Sequence, residues 1–73
     1  MKWFRQWLVR NIQPGQQFVL RESWGNPFKQ TTIEVLAVKE GWVQYYFVSA
    51  QHDMRKYSHE LSGDAFWFCY RRR

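Results

Sequence analysis

His52, Asp53, His59, Glu60, Asp64 and Cys69 are the side chains whose types allow acid–base, nucleophilic or metal chemistry. A cysteine nucleophile needs a histidine in reach and a partly exposed thiol. Cys69 stands between Phe68 and Tyr70 and reads as a small packed side chain. His52 and Asp53 are neighbours, so on an extended chain they point apart. His59 and Glu60 lack further ligands at zinc-site spacing. Gly25 and Gly41 are isolated turn glycines, so no phosphate-cradling loop is present. The expectation is a protein with no catalytic residues, no metal and no cofactor.

Binding chemistry is better supplied. Aromatic residues make up 21% of the 73-residue chain, more than so small a core can hold, so some rings are expected at the surface. Trp24, Phe28, Trp42, Tyr46 and Trp67 fall in loops or on the strand face opposite the expected core. Rings so placed suit a protein partner, with a basic rim around them. The net charge of +5 favours acidic partners. Lys29, Arg55, Lys56, Arg71, Arg72 and Arg73 could contact nucleic-acid phosphates while a Trp or Tyr stacks on bases. Two plainer readings stand beside these: the rings pack under an N-terminal helix, and the terminal arginines form a solvated tail.

These residues depend on short elements for their placement. Over residues 2–12 the helical period puts Trp3, Phe4, Trp7, Leu8 and Ile12 on one face and Lys2, Arg5 and Gln6 on the other. A helix this short must lie against something. Docking on the rest of the chain is the preferred reading, ahead of a membrane surface or a second copy of the chain. Pro14-Gly15 ends it.

From there the period is two. Strands are expected over 16–21, 31–38, 42–48, 54–58 and 65–70, with a long loop after the first. A tight three-residue hairpin at Lys39-Glu40-Gly41 follows the second strand, Gly41 supplying a positive φ. A helical turn is expected over 58–64, capped by Ser58. The core expected from this alternation is Phe18, Leu20, Ile33, Val35, Val43, Tyr45, Phe47, Phe66 and Phe68.

Five short strands, one hairpin, one long loop and a helical turn before the last strand predict a mostly β fold, a small SH3-like barrel with a short N-terminal amphipathic helix. One domain spans residues 1–73: helix 2–12, barrel 16–70 and basic tail 71–73. Such a chain buries only ~60% of its unfolded surface, so large rings must do much of the stabilising. One cysteine allows no intramolecular disulfide, which with the absence of a long apolar run suggests a reducing cytoplasm. A monomer or a weak homodimer is expected.

Ile12-Gln13-Pro14-Gly15-Gln16-Gln17-Phe18, then Gly25-Asn26-Pro27-Phe28, then Lys39-Glu40-Gly41-Trp42-Val43 resemble motifs of short proteins common in phages, prophages and other mobile elements. The resemblance covers about residues 12–48 and implies the same barrel. It assigns no binding residues, since those proteins are mostly uncharacterised. The function expected is a non-enzymatic binding or adaptor protein of a mobile element acting on a host or phage protein. A nucleic-acid-binding module and a membrane-surface protein are the alternatives.

Overall fold

The structure, a computed structural model, describes residues 6–26 and 29–73. Five strands form one antiparallel sheet: β1 (Gln17–Leu20), β2 (Thr32–Lys39), β3 (Trp42–Phe47), β4 (His59–Ser62) and β5 (Tyr70–Arg72). Helix α1 (Gly63–Cys69) joins β4 to β5. The spatial order β4-β3-β2-β1-β5, with a long excursion after β1 and a helix before the last strand, is that of a small SH3-like barrel, here a curled half-barrel.

The alternation expected for β1 and β3 sets the two faces of this sheet. Phe18 pairs with Ile33, Ile33 with Phe47 and Val35 with Tyr45, so these side chains share the inner face. Phe18, Ile33, Val35, Val43, Tyr45 and Phe66 are buried in the main core cluster, and Leu20 and Phe47 pack half-buried against it. Val9, Ile12 and Tyr70 join them. The rings meet edge-on, Phe18 lying 5.0 Å from Phe66 and Tyr45 5.2 Å from Tyr70, a geometry that adds to burial.

The hairpin between β2 and β3 is one residue tighter than expected. Only Glu40 and Gly41 lie between the strands, at φ of 53° and 84°. Positive φ at both positions is the mark of the type I′ turn, whose twist matches the flanking strands. Leu36 forms a bulge: Val35 pairs with Tyr45, but Ala37 pairs with Gln44 and Val38 with Val43. The extra residue turns Ala37 to the outer face and Val38 to the inner one.

The C-terminal third differs from its expected form. Residues 54–58 hold a turn at Arg55 and Lys56 in place of the expected strand, because Asp53 accepts the backbone N–H of Arg55 and the Tyr57 N–H bonds back to the Met54 carbonyl. Such local side-chain bonds compete with a ladder. The expected helical turn at 58–64 is replaced over 59–62 by strand β4, which pairs with Trp42–Tyr45 of β3.

The strand expected over 65–70 is helix α1 as far as Cys69. The burial of Gly63 and Phe66 within it, and of Tyr70 directly after it, follows the helical period, and Phe68, expected in the core, is 83% exposed. A seven-residue helix spans about 10 Å, whereas the same residues extended would cover about 23 Å. The shorter span suits a link between the two edge strands of one curled sheet. Arg71 and Arg72 are no free tail. They form β5, pairing with Val19 and Phe18.

Of the helix expected over 2–12, residues 6–8 are helical and 9–11 form turns; the expectations for residues 1–5 lie outside the described residues. The segment docks on the core face. Val9 and Ile12 are buried in it, and the Trp67 indole Nε1–H donates to the Leu8 carbonyl at 2.6 Å. Trp7 stays 52% exposed, under the Arg10 guanidinium. No helix among the described residues is long and apolar enough to cross a membrane.

Candidate functional site on the outer sheet face

The five rings expected to bind a partner do not act together. Trp67 is packed against the core, edge-on to Phe18 at 5.6 Å. Tyr46 faces outward from β3 but is buried, its hydroxyl donating to Glu34 Oε2 at 2.9 Å. Phe28 lies outside the described residues. Trp24 and Trp42 remain, 47% and 42% exposed. The described N-terminal segment packs on the opposite side of the sheet, so residues 6–12 do not cover this outer face.

The outer face carries a chain of polar groups across β1, β2 and β3, from Arg73 just past β5 to Arg55 in the loop after β3. Arg73 Nη1 donates to Gln17 Oε1 at 2.6 Å, and Gln17 Nε2 donates to Glu34 Oε1 at 3.2 Å. Tyr46 holds the other oxygen of Glu34, and Arg55 stands beside the Tyr46 hydroxyl. The carboxylate raises the Tyr46 pKa, through its hydrogen bond above all and with burial adding to it. Arg55 is itself held more firmly in its charged form, by Tyr46 and then by Asp53, whose carboxylate lies 3.6 Å from its Nε. Cross-strand pairing explains the row, since Gln17, Glu34 and Tyr46 are register partners.

At the β5 side the Arg71 guanidinium lies 3.8 Å over the Trp24 ring. Arg71 pairs with Val19. Val19 is fully buried yet outside the main core cluster, as befits a residue on the outer face. Trp24 is placed by Ser23, whose buried hydroxyl donates to the Leu20 carbonyl at 2.8 Å and accepts the Thr31 N–H at 3.0 Å. That clasp closes the long loop at its root. Trp24 and Arg71 thus form a flat cationic platform flanked by Arg73 on the next outward position of the chain.

The six cations singled out from the sequence separate accordingly. Arg55, Arg71 and Arg73 belong to the outer face. Arg72 turns inward, 5.5 Å over Phe18 and 5.6 Å over Trp67, and Nη2 reaches the Asn11 carbonyl at 3.5 Å. Lys29 stands in the long loop, where its backbone N–H bonds to the Asn26 side chain. Lys56 lies over Tyr57 at 5.4 Å in the loop between β3 and β4. Arg21, which carries no binding signature in the sequence, donates from Nε to the Trp67 carbonyl at 2.9 Å and ties the loop to α1. Only its place directly after an apolar strand could have marked it.

The groups with possible chemistry are dispersed. His59 lies against the Tyr45 and Phe47 rings at 5.8 and 5.2 Å. Cys69 is half-buried on α1, and Asp64 accepts from the Ser62 hydroxyl at 2.6 Å. Among the described residues no three His, Cys, Asp or Glu side chains gather where they could hold a metal ion. The fold and face together define a small SH3-like barrel with an arginine-bearing outer sheet surface. Comparison with protein-family models, with curated proteins and with solved structures gives no significant match to this chain.

Proposed function

We propose that the protein is a non-catalytic module that binds single-stranded nucleic acid across its outer sheet face. The observation that carries this reading is the Trp24–Arg71 stack at 3.8 Å, with Arg73 and Arg55 on the same face. An exposed ring next to guanidinium groups supplies what a single strand needs, a stacking surface for a base and positive charge for its backbone. Arg71, Arg73 and Arg55 serve as the phosphate contacts, and Glu34 fixes the row by bonding Gln17 and Tyr46. Protein binding through a joint cluster of rings is less well supported, because Tyr46 and Trp67 are engaged within the fold. The motif resemblance adds a phage or other mobile element as the setting of this proposal.

Fluorescence anisotropy with a labelled oligothymidine over a series of salt concentrations tests it. Three phosphate contacts give a log–log salt slope of about −2 for a single strand. Trp24→Ala is expected to weaken binding by about 1–3 kcal/mol with the slope retained. Arg71→Ala combined with Arg73→Ala brings the slope to about −0.7. No binding at low ionic strength, or binding indifferent to all three substitutions, removes the proposal.

A further inference from the structure

Toward the β2–β3 hairpin the outer face changes character. A depression of about 320 Å³ opens there, lined by Ala37, Lys39, Glu40, Trp42, Gln44 and Glu60. Two cross-strand rows build it, Ala37–Gln44–Glu60 and Lys39–Trp42–Ser62. The bulge at Leu36 is what makes it possible: it carries the small Ala37 outward opposite Gln44, so the floor is low while its neighbours are long. The type I′ turn then sets Glu40 at the rim.

Two carboxylates face one ammonium group in this lining, so it is locally acidic on a chain of net charge +5. Phosphate is disfavoured beside Glu40 and Glu60, and an apolar side chain would desolvate them without return. The volume is at the low end for ligand sites and suits one side chain rather than a large cofactor. A flat cation suits the lining apart from Lys39, since it can lie on the Trp42 indole while its N–H edges meet a carboxylate and an amide oxygen.

We infer that this depression receives the guanidinium of an arginine on a partner protein. Trp42 supplies the stacking surface, Glu60 the acceptor and Gln44 a further oxygen, with Glu40 adding charge from the turn. Lys39 stands opposite Trp42 in the register and opposes an incoming cation. The site is separate from the Trp24–Arg71 platform and does not depend on nucleic-acid binding there. A module with both would link a nucleic-acid strand to a basic segment of a protein.

The test uses the isotope-labelled full chain titrated with acetyl-Gly-Arg-Gly-amide, followed by the Trp42 indole N–H and the amides of Ala37, Gln44 and Glu60. Saturable shifts at these positions are expected, with affinity about fivefold or more above the counterpart carrying uncharged citrulline. Glu60→Gln is expected to weaken binding about three- to fivefold and Lys39→Ala to strengthen it, both variants keeping the wild-type spectrum elsewhere. Arg71→Ala leaves the peptide affinity unchanged, which separates this site from the nucleic-acid one. Equal response to citrulline, equal affinity for the matching lysine peptide, or affinity unmoved by Glu60→Gln overturns the inference.

Discussion

Phe66 and Phe68 are the same side chain two positions apart, and their environments are opposite. Phe66 is fully buried against Phe18, Tyr45 and Tyr70, whereas Phe68 is 83% exposed. Two residues along a helix turn the side chain through about 200°, while on a strand both would face the same way. Phe66→Ala is therefore expected to cost about 3–5 kcal/mol, much of the whole stability of a domain this small. Phe68→Ser should stay within about 0.5 kcal/mol. Urea unfolding of the two variants checks the pair, and equal losses would restore the strand. The same misjudged period hid the role of Trp67. Its neighbours suggested an outward ring, but on α1 it reaches back to the Leu8 carbonyl. Alternation alone puts Tyr46 on the outer face, where it lies. Its burial was not legible, because it depends on Glu34 and Gln17 arriving from two other strands.

At the scale of elements, the parts that local chemistry decides were legible and those that depend on distant partners were not. β1, β2 and β3 follow from alternation, and the hairpin from Gly41. The bulge at Leu36 leaves no mark in an apolar run where every residue tolerates either face. β5 looked like a solvated tail because three arginines favour water; what holds two of them in a strand is the partner ladder of β1. The hairpin also carries a local conflict. Glu40 sits at φ 53°, where a side chain other than glycine or asparagine is strained by about 1–2 kcal/mol. Glu40→Asn keeps the type I′ geometry with a residue that tolerates it. The expected gain is about 0.5–1 kcal/mol, read as a rise in thermal midpoint of a few degrees. A fall would show that the carboxylate contributes more to the fold than its backbone strain costs.

The whole molecule is tied together at a pair of buried hydroxyls. Tyr70, on one edge strand, donates to the Tyr45 hydroxyl on β3 at 3.1 Å, with Phe66 packed beside both. Burial first, and then the Tyr45 hydroxyl, push the Tyr70 pKa well above the ordinary tyrosine value. Tyr46 shifts the same way beside Glu34. In both cases folding favours the protonated form, so the stabilisation is intact below the unfolded-state pKa of about 10 and is lost as pH rises above it. Each tyrosine that stays protonated in the fold but ionises in the unfolded chain removes about 1.4 kcal/mol per pH unit. The barrel is therefore expected to lose stability steeply between about pH 10 and 11. Tyr70→Phe separates this from general charge effects. At neutral pH it costs about 1 kcal/mol, since the Tyr45 hydroxyl loses its buried donor. Above about pH 10 its stability falls with one proton less in the slope, so the two curves converge and then cross. Urea midpoints measured from neutral pH upward give both slopes. Parallel curves would mean that Tyr70 ionises as readily inside the fold as outside it, and that the hydroxyl pair is not a sealed part of the core.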